Sequence, residues 1–331
     1  MGLFEFIYYL GYRYSRRRGL KKRKTLPNCK VISVGNLTTG GTGKTSLAIS
    51  IALELEKQGR KPAILTRGYK GRLEGPAIVA PGMKERDTGD EPLLMARHFA
   101  GRIKDIPVIK CANRYEAGLY GLAALTPRPD VFILDDGFQH WGLKRNMDIL
   151  LLSATDPFYG EKLIPIGSLR EPASAMRRAD IIVVSKCREV PADFLDEIRR
   201  YNKAAPVFPA WYEADGVVGT SGETYPLESL SGREVYAFSG IGEPGSFRDS
   251  LTEAGAVIKN FKAFRDHHRF SPNDIDRIRR HAGGLWIMTT EKDIMRLDPP
   301  GSGIYALSVR LAATDGFYSE ITKRLCSTAE A

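Results

Sequence analysis

The chain has four cysteines, Cys29, Cys111, Cys187 and Cys326, and no two stand in C-x-x-C spacing. That spacing argues against a zinc ribbon or a disulfide framework and fits a reducing compartment. Histidine is scarce as well: five residues, at 98, 140, 267, 268 and 281. None forms an i, i+4 pair with acidic ligands, so a zinc-enzyme helix is not expected. Internal repeats, low-complexity tracts and long hydrophobic runs are all missing. Acidic residues are nearly absent from the first 30 positions, where Glu5 is the only one.

That last absence explains the net charge of +10. The same 30 residues hold nine basic side chains: Arg13, Arg16, Arg17, Arg18, Lys21, Lys22, Arg23, Lys24 and Lys30. The remaining 301 residues carry 40 basic against 38 acidic groups, a balance of +2. The body is near neutral, so no nucleic-acid partner is expected. Ahead of the basic cluster runs the apolar stretch Leu3-Phe4-Glu5-Phe6-Ile7-Tyr8-Tyr9-Leu10-Gly11-Tyr12. Apolar-then-basic is the reverse of a secretory signal, and no small-residue cleavage site follows. About 12 helical residues reach ~18 Å against a ~30 Å hydrocarbon core, too short to span. Tyrosines favour the headgroup level, and each nearby Lys or Arg adds ~1 kcal/mol of attraction to anionic lipid. Residues 3–24 therefore read as an interfacial anchor. The plainer alternative is an N-terminal helix packed on its own domain.

With 331 residues and 43% hydrophobic composition, the chain is long enough for two cores. Short apolar runs alternate with helical patterns, the signature of a mostly parallel sheet flanked by helices. Strands are predicted at Val31–Val34, Ala63–Thr66, Val108–Lys110, Val131–Asp135, Ile149–Leu152 and Ile181–Ser185. Helices are predicted over 44–58, 90–100, 113–124 and 191–201. Residues 211–233 read as a linker or hairpin. A second alternation over 234–331 follows: strands Glu234–Ser239, Leu285–Thr290 and Ile304–Val309, with helices at 245–254, 271–281 and 315–325. The expected division is 1–25 anchor and basic segment, 26–210 main domain, 211–233 linker or hairpin, and 234–331 a second, smaller α/β domain.

The strongest local signal runs from Lys30 to Ser46. A buried strand leads into Gly35-Asn36, then Thr38-Thr39-Gly40-Gly41-Thr42-Gly43-Lys44-Thr45-Ser46 opens a helix. Glycines let successive N–H groups turn inward around phosphate oxygens, and the helix N-terminus adds favourable partial charge. Lys44 would reach the β/γ-phosphates of ATP and the Thr45 hydroxyl would ligate Mg²⁺. The pattern departs from the usual P-loop at one place, since Thr38 stands where a glycine is normal. About 90 residues on, Val131-Phe132-Ile133-Leu134-Asp135-Asp136 supplies a strand ending in carboxylates, which a P-loop enzyme needs for its magnesium shell. Adjacent side chains on an extended segment face opposite ways, so one of the two aspartates is expected to face the metal.

The run Asp135-Asp136-Gly137-Phe138-Gln139-His140 carries a resemblance. Taken with Thr66-Arg67-Gly68-Tyr69, Gly89-Asp90-Glu91-Pro92, Leu169-Arg170-Glu171-Pro172, Asp266-His267-His268 and Thr290-Glu291-Lys292-Asp293, the chain resembles the tetraacyldisaccharide 4′-kinase family. The ordered motifs extend from about residue 3 to 295. The resemblance implies a P-loop NTPase-like fold and transfer of phosphate from ATP, with Mg²⁺, to the 4′-hydroxyl of a tetraacylated glucosamine disaccharide 1-phosphate. It also implies a monotopic protein on the cytoplasmic face of the inner membrane, in lipid A assembly. A monomer is expected. By the same resemblance Asp90 is the general base and His267 orients it, while Glu91 joins Thr45, Asp135 and Asp136 around the metal. Asp90 and Glu91 could equally be an N-cap and first-turn pair.

Arg67 and Arg170 suit phosphate, because guanidinium binds it in a planar fork. Arg170 is taken as catalytic with Lys44, and Arg67, Tyr69, Gln139 and His140 as substrate contacts. Thr290–Asp293 is read as a nucleotide or hinge contact. Two other readings compete. A membrane-recruited regulatory ATPase of the partitioning type has Lys-Gly-Gly-x-Gly-Lys-Thr, but Thr39 stands at its signature lysine. A nucleotide-sensing scaffold would need neither Asp90 nor an acceptor hydroxyl.

Overall fold

The computed structural model describes residues 2–100, 106–220, 223–266, 268–297 and 303–327. The chain divides into two units, residues 1–211 with 311–331, and residues 212–310.

The first unit begins with α1 (Leu3–Lys21). It then alternates β1 (Lys30–Asn36), α2 (Lys44–Lys57), β2 (Pro62–Thr66), β3 (Ala77–Ile78), α3 (Glu85–Thr88), α4 (Asp90–Phe99), β4 (Val108–Lys110), α5 (Arg114–Ala124), β5 (Val131–Asp135), β6 (Met147–Ser153), β7 (Ile181–Ser185), α6 (Ala192–Tyr201) and the start of β8 (Val207–Gly219). Its strand order is β8-β7-β6-β1-β5-β2-β4-β3. All pairings in this set are parallel except β3 with β4. Buried on both faces, β5, β6 and β7 contain short unbroken apolar runs rather than an alternation. One core lies around Leu37, Phe138, Leu150, Phe158 and Phe194; another lies around Val31, Leu65, Ala117, Phe132 and Leu134.

β1 sits between β5 and β6, with Val34 level with Asp135 on one side and Ile149 on the other. From β1 the chain first builds outward through β2 and β4, returns to β5, then crosses to β6. Ligands in open α/β sheets bind beyond the carboxyl ends of the strands at such a reversal. The loop after β1 and the end of β5 both lie there.

α1 is longer than expected. Its 19 residues continue through the basic cluster, because Arg and Lys are good helix formers and suit the carbonyl end of a helix. At 1.5 Å per residue it is ~28 Å long. Among the described residues no helix is long and apolar enough to cross a membrane. Glu5, Tyr8 and Tyr12 turn inward: Glu5 is 6% exposed, while Leu3, Phe4, Ile7 and Tyr14 are 71%, 65%, 57% and 68% exposed.

The second unit contains the rest of β8, then β9 (Thr224–Tyr225), β10 (Glu234–Ser239), α7 (Pro244–Glu253), β11 (Val257–Ala263), α8 (Pro272–Ala282), β12 (Trp286–Thr290), α9 (Glu291–Ile294) and most of β13 (Ile304–Ala313). Its parallel strands run β11-β10-β12-β13. Of the two alternatives for residues 211–233, linker or hairpin, the structure has the hairpin: the second half of β8 pairs antiparallel with β9. One sequence expectation fails here. The closing helix α10 (Asp315–Ser327) clusters with the first unit: the Thr322 hydroxyl donates to Gln58 Oε1 at 2.9 Å and Phe317 packs edge-on to Phe208.

Candidate active site

The loop between β1 and α2 is held from both ends. Gly43 caps α2 at φ 94°, a left-handed conformation that glycine adopts without strain. Asn36 Nδ2 donates to Thr42 Oγ1 at 3.1 Å, and Ser185 Oγ at the end of β7 donates to the Thr42 carbonyl at 2.8 Å. Thr39 N–H donates to the Ser168 carbonyl, and Arg170 N–H to the Leu37 carbonyl. The cradle and the 168–170 loop thus form one hydrogen-bonded unit.

Lys44 lies over this loop, 3.5 Å from the Gly40 carbonyl and 3.9 Å from Asp136 Oδ1. Burial pulls its ammonium below the usual lysine value, against the upward pull of Asp136. Asp136 adopts φ 51°, which breaks the extended alternation expected of the aspartate pair: the strand has ended. Both its oxygens accept from Arg170 Nη1 at 2.8 Å. Burial pushes its carboxyl upward, but Lys44 and Arg170 outweigh burial and hold it below the usual range.

Asp135 is its opposite. It is 1% exposed; burial first, then the charges of Glu91 and Asp136, push its carboxyl up to about 7. Oδ2 accepts weakly from Thr66 Oγ1 at 3.4 Å, and Oδ1 has no hydrogen-bond partner among the described residues. A buried oxygen left unmatched costs ~1–3 kcal/mol, so such an atom invites a ligand. Two neighbouring carboxyls have been driven apart by their surroundings, one ionised and one poised near neutrality.

Asp90 opens α4 behind Gly89, which takes the cap position itself. Asp90 Oδ1 accepts from Glu91 N–H at 3.0 Å. The loops carrying Arg67-Gly68-Tyr69 and Thr88-Gly89-Asp90 are pressed together. A Cβ on Gly89 would stand 2.6 Å from the Tyr69 carbonyl, and one on Gly68 would stand 2.9 Å from the Thr88 carbonyl. Both glycines are also left-handed. Tyr69 is 63% exposed. Arg67 lies within electrostatic reach of His140. Burial first, then Arg114, Arg145 and Arg67, pull His140 down to about 4, so it is neutral at pH 7.

The sequence reading gave no role to Arg114, Glu171, Arg178 or Asn36. Arg114, buried at the start of α5, donates to the Cys111 and Ala112 carbonyls and, at 3.4 Å, to the Asp135 carbonyl. Glu171 is fully buried and accepts from Arg178 Nη2 at 2.6 Å, Gln139 Nε2 at 2.7 Å and the Tyr12 hydroxyl at 2.8 Å. Gln139 Nε2 also donates to the Asn36 carbonyl at 3.0 Å. Through its amide nitrogen Gln139 thereby braces two loops. Asn36 itself, read only as part of a motif, is the brace of the cradle.

Residues 2–326 match the family described as LpxK, tetraacyldisaccharide-1-P 4'-kinase. The chain belongs to this family. A tetraacyldisaccharide 4'-kinase of Anaeromyxobacter sp. (strain Fw109-5) is 37% identical over 279 residues, covering 81% of this chain and 74% of the relative. One from Geobacter metallireducens is 38% identical over 302 residues, covering 87% and 85%. A crystal structure of the "apo" form of LpxK from Aquifex aeolicus in complex with ATP matches at 33% identity with a TM-score of 0.77, over 97% of each chain.

As a tetraacyldisaccharide-1-P 4'-kinase family member, the chain gathers Lys44, Asp135, Asp136 and Arg170 at the carboxyl ends of β1 and β5, with Glu91 and Arg114 in electrostatic reach of Asp135. His267 lies outside the described residues. Thr290–Asp293 is structural in the second unit: Asp293, fully buried, accepts from Gly240 N–H at 2.9 Å and from the Thr290 hydroxyl at 2.8 Å, and pairs with Arg296 at 3.2 Å. Among the described residues no group of three or more His, Cys, Asp and Glu is arranged to hold a metal by itself.

Proposed function

We propose that the chain transfers the γ-phosphoryl group of ATP to the 4′-hydroxyl of a tetraacylated glucosamine disaccharide 1-phosphate, as a monomer on the cytoplasmic face of the inner membrane. The observation that carries this reading is the approach of Lys44 to Asp136, 3.9 Å apart, beside an ion-ready Asp135 at the ends of β1 and β5. ATP complexed by the relative from Aquifex aeolicus supports the choice of donor.

In this reading the amides of Thr39, Gly40, Gly41, Thr42, Gly43, Lys44, Thr45 and Ser46 cradle the triphosphate. Lys44 and Arg170 neutralise charge on the transferred group, Arg170 being released from Asp136 in part as phosphate competes for it. Mg²⁺ suits the residue set. It usually takes one or two carboxylates together with substrate phosphates rather than a full protein cage, and the unmatched Asp135 Oδ1 is such a ligand. Thr45, Glu91 and Asp136 complete the surroundings. When bound, the ion offsets charge on the β- and γ-phosphate oxygens. Asp90 takes the proton of the attacking hydroxyl, a step worth ~10²–10⁴-fold. Arg67 and Tyr69, on the loop pressed against Asp90, face the acceptor sugar. For His267, membership of the Asp266-His267-His268 motif supports a part in turnover, to be read from the kcat of His267→Ala. Residues 1–25 anchor the chain.

The test supplies Mg·ATP and a detergent-dispersed acylated disaccharide 1-phosphate. A kinase places phosphate on the sugar, and Lys44→Ala should lower kcat by at least ~100-fold. Hydrolysis without sugar phosphate would favour the partitioning-type ATPase, and neither product would favour a scaffold.

A further inference from the structure

On α1 the residues that face the protein are spaced as one helical stripe: Glu5, Tyr8, Tyr12 and Gly19. Each makes a specific contact. Glu5 Oε1 accepts from Leu163 N–H at 3.2 Å. The Tyr8 hydroxyl donates to the Arg170 carbonyl at 2.9 Å and the Tyr12 hydroxyl donates to Glu171 Oε2 at 2.8 Å. Gly19 lies so close to Trp141 that a Cβ there would overlap its side chain. The opposite face presents Leu3, Phe4, Ile7 and Leu10 outward.

We infer that Tyr8 and Tyr12 are positioning residues for phosphoryl transfer: from the lipid-facing helix they fix the loop that carries Arg170 and, through Glu171, the phosphate cradle. The inference rests on the kinase reading above. Tyr8 holds the backbone of the arginine whose side chain meets Asp136. Tyr12 begins a continuous run of hydrogen bonds: Tyr12 to Glu171 (2.8 Å), Gln139 to Glu171 (2.7 Å), Gln139 to the Asn36 carbonyl (3.0 Å) and Asn36 to Thr42 (3.1 Å). It joins the anchor helix to the cradle in four steps. Glu171 has no exposure, so losing a donor leaves a buried charge short of a partner, and the network shifts as a unit. The Tyr12 hydroxyl, pushed up to about 12 by burial and then by Glu171, stays protonated and remains a donor across the working range. Packing alone would require rings on this face; it would not require two hydroxyls aimed at consecutive residues of one catalytic loop.

Tyr8→Phe, Tyr12→Phe and the double variant of the full chain test this, with Phe4→Ser/Ile7→Ser on the outward face as the contrast. The readouts are kcat and lipid KM in mixed micelles, and partition to phosphatidylglycerol vesicles. Each tyrosine variant should lose about tenfold in kcat, with lipid KM and vesicle partition within about twofold of the parent. The outward-face variant should show the reverse split: weaker partition and raised lipid KM, with kcat kept at saturation. Unchanged kcat in the double variant overturns the inference, as does a loss of partition that matches the loss of turnover. Tyr8→Phe alone, which touches only a backbone carbonyl, carries the same expectation should the double variant not fold. A parent chain that makes no sugar phosphate would instead refute the kinase reading.

Discussion

At the scale of single residues, the site is governed by how unequally Asp135 and Asp136 hold their protons. Asp135 lies well above its ordinary value of 3.8, at about 7. Between those values the folded chain binds a proton that the unfolded chain has released. The stability contributed by the neutral form is complete below 3.8 and is lost as pH rises through about 7. Asp135→Asn should flatten this decline in the ligand-free protein, measured as the thermal midpoint from pH ~4 to ~8. Because a carboxylate must ionise to ligate a cation, Mg²⁺ affinity of the parent chain should rise across pH ~6–8, read by calorimetry. A flat affinity would remove Asp135 from the metal shell. Arg170→Lys should also fail to restore function. Both Asp136 oxygens accept from one nitrogen, Nη1, which leaves the rest of the planar guanidinium for a phosphate, whereas lysine offers a single ammonium to both, so kcat should fall about 10–100-fold with little change in ATP KM.

At the scale of elements, the end of β1 passes against the turn after β5 with no room to spare. A Cβ on Gly35 would meet Phe138 N at 2.7 Å and Phe138 Cβ at 2.6 Å. Phe138 is fully buried, with the Arg178 guanidinium 3.6 Å from its ring centroid. Gly35→Ala must therefore displace backbone beside Asp135 and Asp136. It should cost ~1–3 kcal/mol, measured by denaturant titration, and weaken Mg·ATP binding with it. Much of this scale was legible beforehand. The parallel strands β1, β2, β4, β5, β6 and β7 read correctly because burial on both faces leaves unbroken apolar runs, whereas β3, two half-buried residues at the edge, did not. β11 did not, because as an edge strand it is largely exposed and polar, Lys259 and Lys262 included. The tyrosines of α1 misled for a related reason. Their composition suits a membrane interface, but only the fold shows that Tyr8 and Tyr12 have partners 162 and 159 residues away. Arg114, Glu171 and Arg178 escaped for the same cause: a buried ion pair has no local pattern, whereas a glycine-rich cradle has one.

On the scale of the whole molecule, the charge is not spread. Nearly all of the excess lies within the first 30 residues, and in the structure most of it projects from α1 and the segment after it, since Arg17, Arg18 and Lys21 through Lys24 are exposed. At ~1 kcal/mol per cation near an anionic surface, replacing Arg17, Arg18 and Lys21 with Gln should lower partition to phosphatidylglycerol vesicles by about 100-fold at low salt. Since screening at 1 M ionic strength acts within ~3 Å, raising the salt should erase most of the difference between parent and variant. Partition that is indifferent to both salt and substitution would leave the apolar face of α1 as the sole contact.

The left-handed backbone at Asp136 has a practical outcome. Asparagine and aspartate tolerate that conformation because their short polar side chains bond locally, whereas most residues incur roughly 1–2 kcal/mol there. Exchanging Asp136 for Asn thus removes a charge with the main chain left undisturbed, while exchange for Ala changes both together. Comparing the two substitutions separates what the carboxylate contributes to Arg170 and Lys44 from what the bend contributes to the geometry of the strand end.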